Sequence, residues 1–190
     1  MRNLRVWAGL LGIEHAVIER VEYDEHERVL VAHVRPSRTR RGRCGRCERR
    51  CAGYDRGDGH RWWRALDFGV VRAVVEADAP RVSCPRDGVV VAAVPWARHG
   101  AGHTRAFDDT VAWLAVACSK TAVTHLLRVA WRTVGSVITG VWADVEARVD
   151  PTNTKIRLLT RIAFGFRSPE ALTALAMLSL GGYRPALPGR

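Results

Sequence analysis

Residues 16–23, AVIERVEY, and 28–35, RVLVAHVR, alternate β-branched and polar positions on either side of the polar stretch DEHE. That pattern predicts an antiparallel hairpin, ended by Pro36. A second pair of strands follows, with RWWRALD and VVRAVVEAD flanking FG and leading into RVSCPRDG. Between the two pairs, from Arg35 to Arg64, eleven arginines stand against Glu48, Asp55 and Asp58, with glycines interspersed, so this stretch reads as basic loop and knuckle. The segment PWARHGAGH, residues 95–103, has the Pro, Gly and His content of a linker, and the apolar period changes after it from two to helical. A domain boundary near residue 103 follows.

Beyond it, Phe107, Val111, Leu114 and Cys118 share one helical face. Ser119 then suits an N-cap for the short helix KTAVTHLL, RVA interrupts, and Val134, Val137, Val141 and Val145 stripe a longer helix that Asp150-Pro151 closes. Asp108 and Asp109, at the start of the first helix, suit the helix dipole. In the last forty residues, TKIRLLTRIAFGF is a basic amphipathic helix, and SPEALTALAMLSLGG has Ser at N-cap, Pro at the first position and a Gly pair as stop. The fold class expected is α+β: a small β-rich domain over 1–103, a helical domain over 104–150, and a C-terminal helical tail over 151–190, the first read as zinc-binding from its cysteines and the second as helix-turn-helix from residues 120–138.

Composition narrows the function. The 190-residue chain is 47% hydrophobic, enough for packed cores, and its formal charge of +11 points to a polyanionic partner, nucleic acid first. Only Lys120 and Lys155 are lysines, so the basic surface is almost wholly arginine, the side chain that forks onto phosphates and guanine edges. No apolar run approaches the roughly 18 residues of a membrane helix, and the N-terminus does not read as a signal peptide. The expectation is a cytosolic, nucleoid-associated protein with no membrane partner, whose five cysteines are thiols or metal ligands.

Two constellations carry chemistry. Cys44-Gly-Arg-Cys47 has the spacing of a zinc knuckle, and Cys84, in the Pro-Gly turn CPRDG, supplies a third ligand. The fourth comes from Asp87, Cys51, His60, His99 or His103; Asp87 repeats the two-residue gap, whereas Cys51 is the softer ligand. Ordinary intracellular thiols are the bland alternative, with Cys118 a plain core residue. The second constellation, KTAVTHLLRVAWRTVGSVI over 120–138, is laid out as a helix-turn-helix whose second helix exposes Arg132, Thr133 and Ser136 to a major groove. A plain three-helix bundle is its alternative, with Trp131 and Trp142 in the core. HRWWR could stack bases, but paired tryptophans in a strand are more often half core and half edge. A Gly-rich phosphate loop, a nucleophile elbow and an HExxH helix are all missing.

The ordered segments CGRC, GYDRG, RWWRALDFG, PRVSCPRDGVVVAAVPWARHG, FDDTVAWLA, SKTAV, WRTVG and NTKIRLLTRIAFGFRSPEAL together resemble bacterial insertion-sequence transposases of the ISL-three family. The resemblance covers almost the whole chain. It implies an N-terminal zinc-binding domain, a helix-turn-helix and a catalytic domain of the DDE type. Members of that family carry His where this chain has Asp87. They also have, between the positions of residues 149 and 152, a long stretch that supplies two catalytic aspartates and their sheet. Here ADVEARVD runs directly into PTNTKIR, and Asp150, near the place of the family's catalytic Glu, reads as the end of the upstream helix. A lone carboxylate cannot hold the two metal ions of strand transfer.

The resemblance therefore implies the DNA-binding portion of a truncated transposase, recognising the terminal inverted repeats of an insertion sequence in double-stranded DNA, with no strand-transfer activity and no catalytic residues of its own. Structural Zn2+ would sit on Cys44, Cys47, Cys84 and Asp87. Arg132, Thr133 and Ser136 would read the groove, with Arg128, Arg38, Arg40 and Arg41 on phosphates. The tail helices, left without their sheet, would dock on the helix-turn-helix, pair two chains or aggregate, and a homodimer or the full-length transposase would be the protein partner. The alternatives are an active DDE transposase or nuclease, and a stand-alone zinc-containing transcriptional regulator or RNA binder.

Overall fold

A computed structural model describes residues 2–146 and 168–180. The chain divides into two compact units, Met1–Phe107 and Asp108–Arg190. The α+β class expected from the sequence holds, with strands first and helices after.

The first unit opens with a helix that the strand periodicity did not announce, α1 (Arg2–Leu10). Trp7 on α1 packs on Phe68, with ring centroids 5.5 Å apart, and Leu11 and Ile13 just beyond it are buried. Next come β1 (Ala16–Asp24) and β2 (Val29–Pro36), the antiparallel hairpin foreseen from alternation. The second pair is β4 (His60–Arg64) and β5 (Arg72–Asp78), also antiparallel, with Trp63 opposite Val75. The two pairs join through a parallel ladder between β2 and β5, giving the strand order β1-β2-β5-β4. One face of this sheet buries Ala32, Val34, Trp63, Ala73, Val75 and Ala77, and Trp96 meets Trp63 edge-on at 5.6 Å. The other face is polar: the His33 and His60 imidazoles lie 3.7 and 3.4 Å from the Glu76 carboxylate. HRWWR behaves as an ordinary strand at this boundary, with Trp63 at 2% exposure and Trp62 at 56%.

The basic stretch expected to be loop contains a short strand, β3 (Ala52–Asp55). It pairs with β6 (Arg81–Cys84), which pairs with β7 (Gly88–Val91), in a second, three-stranded sheet of order β3-β6-β7. Every residue of β3 is exposed, so its position comes from ladder hydrogen bonds and from the Asp55 carboxylate clasped by the Arg81 guanidinium, which also lies over the Tyr54 ring. That pairing lowers the Asp55 pKa and raises that of Arg81.

The helices are α2 (Arg105–Ala117), α3 (Lys120–Leu127), α4 (Trp131–Glu146) and α5 (Pro169–Leu180). In the second unit the apolar stripes of α2, α3 and α4 bury Val111, Ala112, Val123, Val134, Ile138 and Val141. Lys120 is 7% exposed, with its ammonium 4.5 Å from the Trp131 ring, so burial lowers its pKa while the ring face offsets part of the desolvation. The α5 helix starts at Ser168, whose hydroxyl accepts the Ala171 N–H at 3.3 Å, and buries Ala171, Ala174, Leu175 and Leu178. It packs on α4, where a Cβ on Gly135 would meet that of Ala171 at 3.8 Å. The closing of α4 at Asp150-Pro151 and the TKIRLLTRIAFGF helix lie outside the described residues.

Candidate functional site

Two tight turns build a cluster of side chains at the three-stranded sheet. In the first, CGRC, the Cys44 N–H donates to the Arg49 carbonyl at 2.8 Å and the Glu48 N–H to the Cys44 carbonyl at 3.0 Å, with Glu48 in the left-handed region at φ 55°. Gly45 has to be glycine, because a Cβ there would collide with the His99 imidazole and the Val91 carbonyl. The second turn, CPRDG, links β6 to β7 and ends at Gly88, whose φ of 71° an L side chain rarely adopts.

These turns converge Cys44, Cys47, Cys84 and Asp87, whose ligand atoms all lie within 4.8 Å of one another. The Cys44 thiol donates to Asp87 Oδ2 at 3.3 Å, the Cys84 thiol to the same oxygen at 3.4 Å, and the Cys47 and Cys84 sulfurs are 3.5 Å apart. Val82 and Val90 close the apolar side, and Cys44 and Cys84 are buried. Three soft sulfurs and one carboxylate oxygen in mutual contact are a four-coordinate donor set for zinc.

The protonation of the cluster fits a cation poorly served by protons. Burial alone would raise the Cys84 thiol, but backbone N–H groups of Asp87 and Arg86 and the Cys47 and Cys44 thiols hold its pKa below the usual value. Hydrogen bonds from Cys47, then Cys44, hold Asp87 below the usual carboxylate range. For Cys47 the Arg49 backbone favours the thiolate, yet the Asp87 carboxylate, burial, Cys84 and Cys44 outweigh it and push its pKa up to about 12. Cys47, Cys84 and Asp87 share protons because they crowd one another, and a divalent ion relieves that crowding.

Of the other candidates for the fourth ligand, none joins this group. The Cys51 thiol packs beside the cluster and donates to the Arg49 carbonyl at 3.4 Å. His99 lies against Gly45, His103 stacks on Phe107 at 5.0 Å, and His60 pairs with Glu76 and Asp78. Spacing alone did not reveal that His99 and Val91 shape the knuckle from outside; only the close approach at Gly45 does.

The second constellation has the helix–turn–helix layout read from the sequence. The Ser119 hydroxyl accepts the Ala122 N–H at 3.2 Å, and Arg128 caps α3 in the left-handed region with φ 51°. After Val129 and Ala130, α4 begins. Its outward face carries Arg132 and Ser136, both exposed, and the Ser136 hydroxyl donates to the Thr133 carbonyl at 3.0 Å. Thr133, expected to be exposed with them, is half-buried instead, because it sits beside the Val134 and Val137 stripe. Trp131 is 38% exposed. Arg38 and Arg41 are exposed and Arg40 half-buried in the turn after β2, in the other unit.

Comparison with known proteins bears on both constellations. Residues 40–87 match the family model described as the zinc-finger of transposase IS204/IS1001/IS1096/IS1165. Residues 92–142 match the helix-turn-helix domain of transposase family ISL3. These two regions are similar to the zinc-finger and helix-turn-helix parts of such transposases. The chain is also 57% identical over 155 residues to the transposase for insertion sequence element IS1557 of Mycobacterium tuberculosis strain CDC 1551 / Oshkosh, and equally to that of strain H37Rv. Each match covers 79% of this chain and 35% of the relative, so the chain spans about a third of the length of the transposases it matches. No solved structure matches the chain. The zinc-finger match and the converged donor set agree on structural zinc as the cofactor of the ISL3-type first unit. No helix among the described residues is long and apolar enough to cross a membrane.

Proposed function

We propose that this chain is the DNA-binding portion of a truncated ISL3-type transposase, recognising the terminal inverted repeats of its element without strand transfer of its own. The observation that carries the reading is the outward face of α4: Arg132 and Ser136 stand exposed on the second helix of a tight helix–turn–helix, within the residues that match the ISL3 helix-turn-helix domain. Such a helix reads base edges from a major groove. Arg132 forks to a guanine edge, Ser136 and Thr133 contact base or phosphate, and Arg128, Arg38, Arg40 and Arg41 neutralise phosphates. A charge of +11 favours that role through counterion release.

Cys44, Cys47, Cys84 and Asp87 hold the zinc. With all four positions filled by protein, no site is left for a catalytic water, so the metal shapes the domain and does not activate a nucleophile. Truncation rests on the ISL-three resemblance, in which ADVEARVD runs into PTNTKIR where the family carries its catalytic stretch. The protein acts at the nucleoid, in the cytoplasm. Packing of α5 on α4 supports a tail that has found a new apolar partner in its own chain.

The test is competition binding of the purified protein to the inverted-repeat ends flanking its gene, together with a magnesium-dependent nicking assay on the same DNA. Selective binding without nicking is expected. Nicking lost on Asp150→Asn would reverse the assignment in favour of an active nuclease.

A further inference from the structure

Among the described residues of the second unit, the large apolar side chains left exposed are Leu126 and Trp131, which flank the α3–α4 turn in sequence. Leu126 lies on α3, whereas Trp131 is the first residue of α4 and the neighbour of Arg132. The Trp131 ring is not loose. The Lys120 ammonium, from the start of α3, lies 4.5 Å from the ring centroid and 3.7 Å from where a Cβ on Gly135 would stand. Gly135 follows Trp131 by one helical turn on the same face of α4, so its missing side chain leaves room for the ammonium against the ring. Lys120 is 7% exposed, and burial lowers its pKa, so a desolvated cation braces the ring. Trp131 nevertheless stays 38% exposed, in a run with the exposed Ala130 and Arg132.

We propose that the Trp131 ring is an apolar base contact of the reading helix, packing on the methyl group of a thymine in the major groove beside the base that Arg132 addresses. The inference rests on the DNA-binding reading of α4 and deepens it, because it names a base where that reading names only a helix face. In the major groove thymine alone presents a methyl group, so an apolar side chain there separates thymine from the other bases. Arg132 cannot do this, since a guanidinium only donates hydrogen bonds and selects acceptors. The N-terminal residues of the second helix are those that reach base edges in a helix-turn-helix, and Trp131 holds that place. A ring already braced by Lys120 loses little side-chain freedom on binding, while its exposed apolar surface leaves water.

The test uses the full chain loaded with zinc and inverted-repeat duplexes in which each thymine in turn is replaced by deoxyuridine, which lacks only the methyl group. Wild type is expected to lose about fourfold in affinity at one position of the repeat, the effect of burying a single methyl group. Trp131→Ala, shown to be folded by thermal unfolding, is expected to bind the unmodified repeat more weakly and to be indifferent to deoxyuridine at that position. Leu126→Ala keeps the wild-type response. A second measurement needs no variant: iododeoxyuridine at the same position puts iodine where the methyl group stands, and irradiation should cross-link it to Trp131, as mapped by peptide mass spectrometry. Wild type that selects the repeat but ignores every deoxyuridine overturns the contact and leaves the DNA-reading helix standing. An equal response in folded Trp131→Ala, or a cross-link confined to another residue, overturns it as well. Should wild type fail to distinguish the repeat from a scrambled duplex, the reading of α4 fails and the contact with it.

Discussion

Cys44 and Asp87, far apart in sequence, meet with the Cys44 thiol 3.3 Å from Asp87 Oδ2, in a contact that ties the knuckle to the β6–β7 turn. Backbone bonding of Arg43 with Ala93 and the Val82–Val90 contact also join the two turns, and a metal on the four ligands would add a further link. Asp87 is the hard member of a soft donor set, and the ISL-three resemblance implies His at its place. Asp87→Ala should weaken zinc binding by on the order of 10- to 100-fold, at least the cost of losing an outer-shell partner, and Asp87→His should bind more tightly than wild type. Chelator competition measures both; equal affinity in all three proteins would exclude Asp87 as a ligand.

Zinc affinity should rise with pH. In the metal-free chain Cys47 is held up to about 12, so near neutrality its thiol is protonated and zinc must expel that proton. Each proton released on binding makes the affinity change by about tenfold per pH unit. Asp87 and Cys84, both shifted downward, add less to that slope. Calorimetry in buffers of different ionisation enthalpy counts the protons. Release of none near pH 7 would contradict the shared-proton description of the cluster.

Gly45→Ala should abolish stoichiometric zinc binding. A Cβ at that position strikes both the His99 ring and the Val91 carbonyl, and only the first can move. Adding His99→Ala should therefore fail to rescue it. Zinc content by elemental analysis decides the point, and full rescue by the second substitution would mean that the Val91 backbone yields.

On α4, Arg132→Ala should cost about 1–3 kcal/mol of discrimination between inverted-repeat and scrambled duplex, whereas Arg41→Ala should weaken both alike. Equal effects of Arg132→Ala on the two duplexes would show that another element reads the bases.

Val134→Ala removes a fully buried side chain from the stripe that seats α4. A loss of about 1–3 kcal/mol is expected by denaturant titration. The second unit's scaffold would not depend on that stripe if the midpoint stayed put.

The parts legible in the sequence are those set by local pattern. Ser119 followed by KTAVTHLL marks a cap and a helix within a few residues, and the cap hydrogen bond is there. The alternation in AVIERVEY and RVLVAHVR specifies a hairpin because its register depends on a single turn. The parallel pairing of β2 with β5 is different, since it joins residues far apart in sequence, such as Val29 and Arg72, and leaves no trace in either strand's own pattern. AGYD as β3 was illegible for a related reason: all four residues are exposed, and only β6 and the Asp55–Arg81 clasp hold them. The α1 helix has no comparable local signature, being only nine residues long, and its Trp7 is placed by the distant Phe68. At the candidate metal site, spacing singled out three cysteines but left five choices for the fourth ligand, and only the convergence of the two turns favours Asp87 over Cys51.

The central claim is that a DNA-reading module stands in this chain, and fluorescence anisotropy with the inverted-repeat ends against scrambled DNA, at low and at physiological salt, tests it most directly. Selectivity for the repeat ends that persists as salt rises is the result predicted. Binding that is equal on the two duplexes and vanishes together with rising salt would reduce the protein to a basic surface and contradict the assignment of α4.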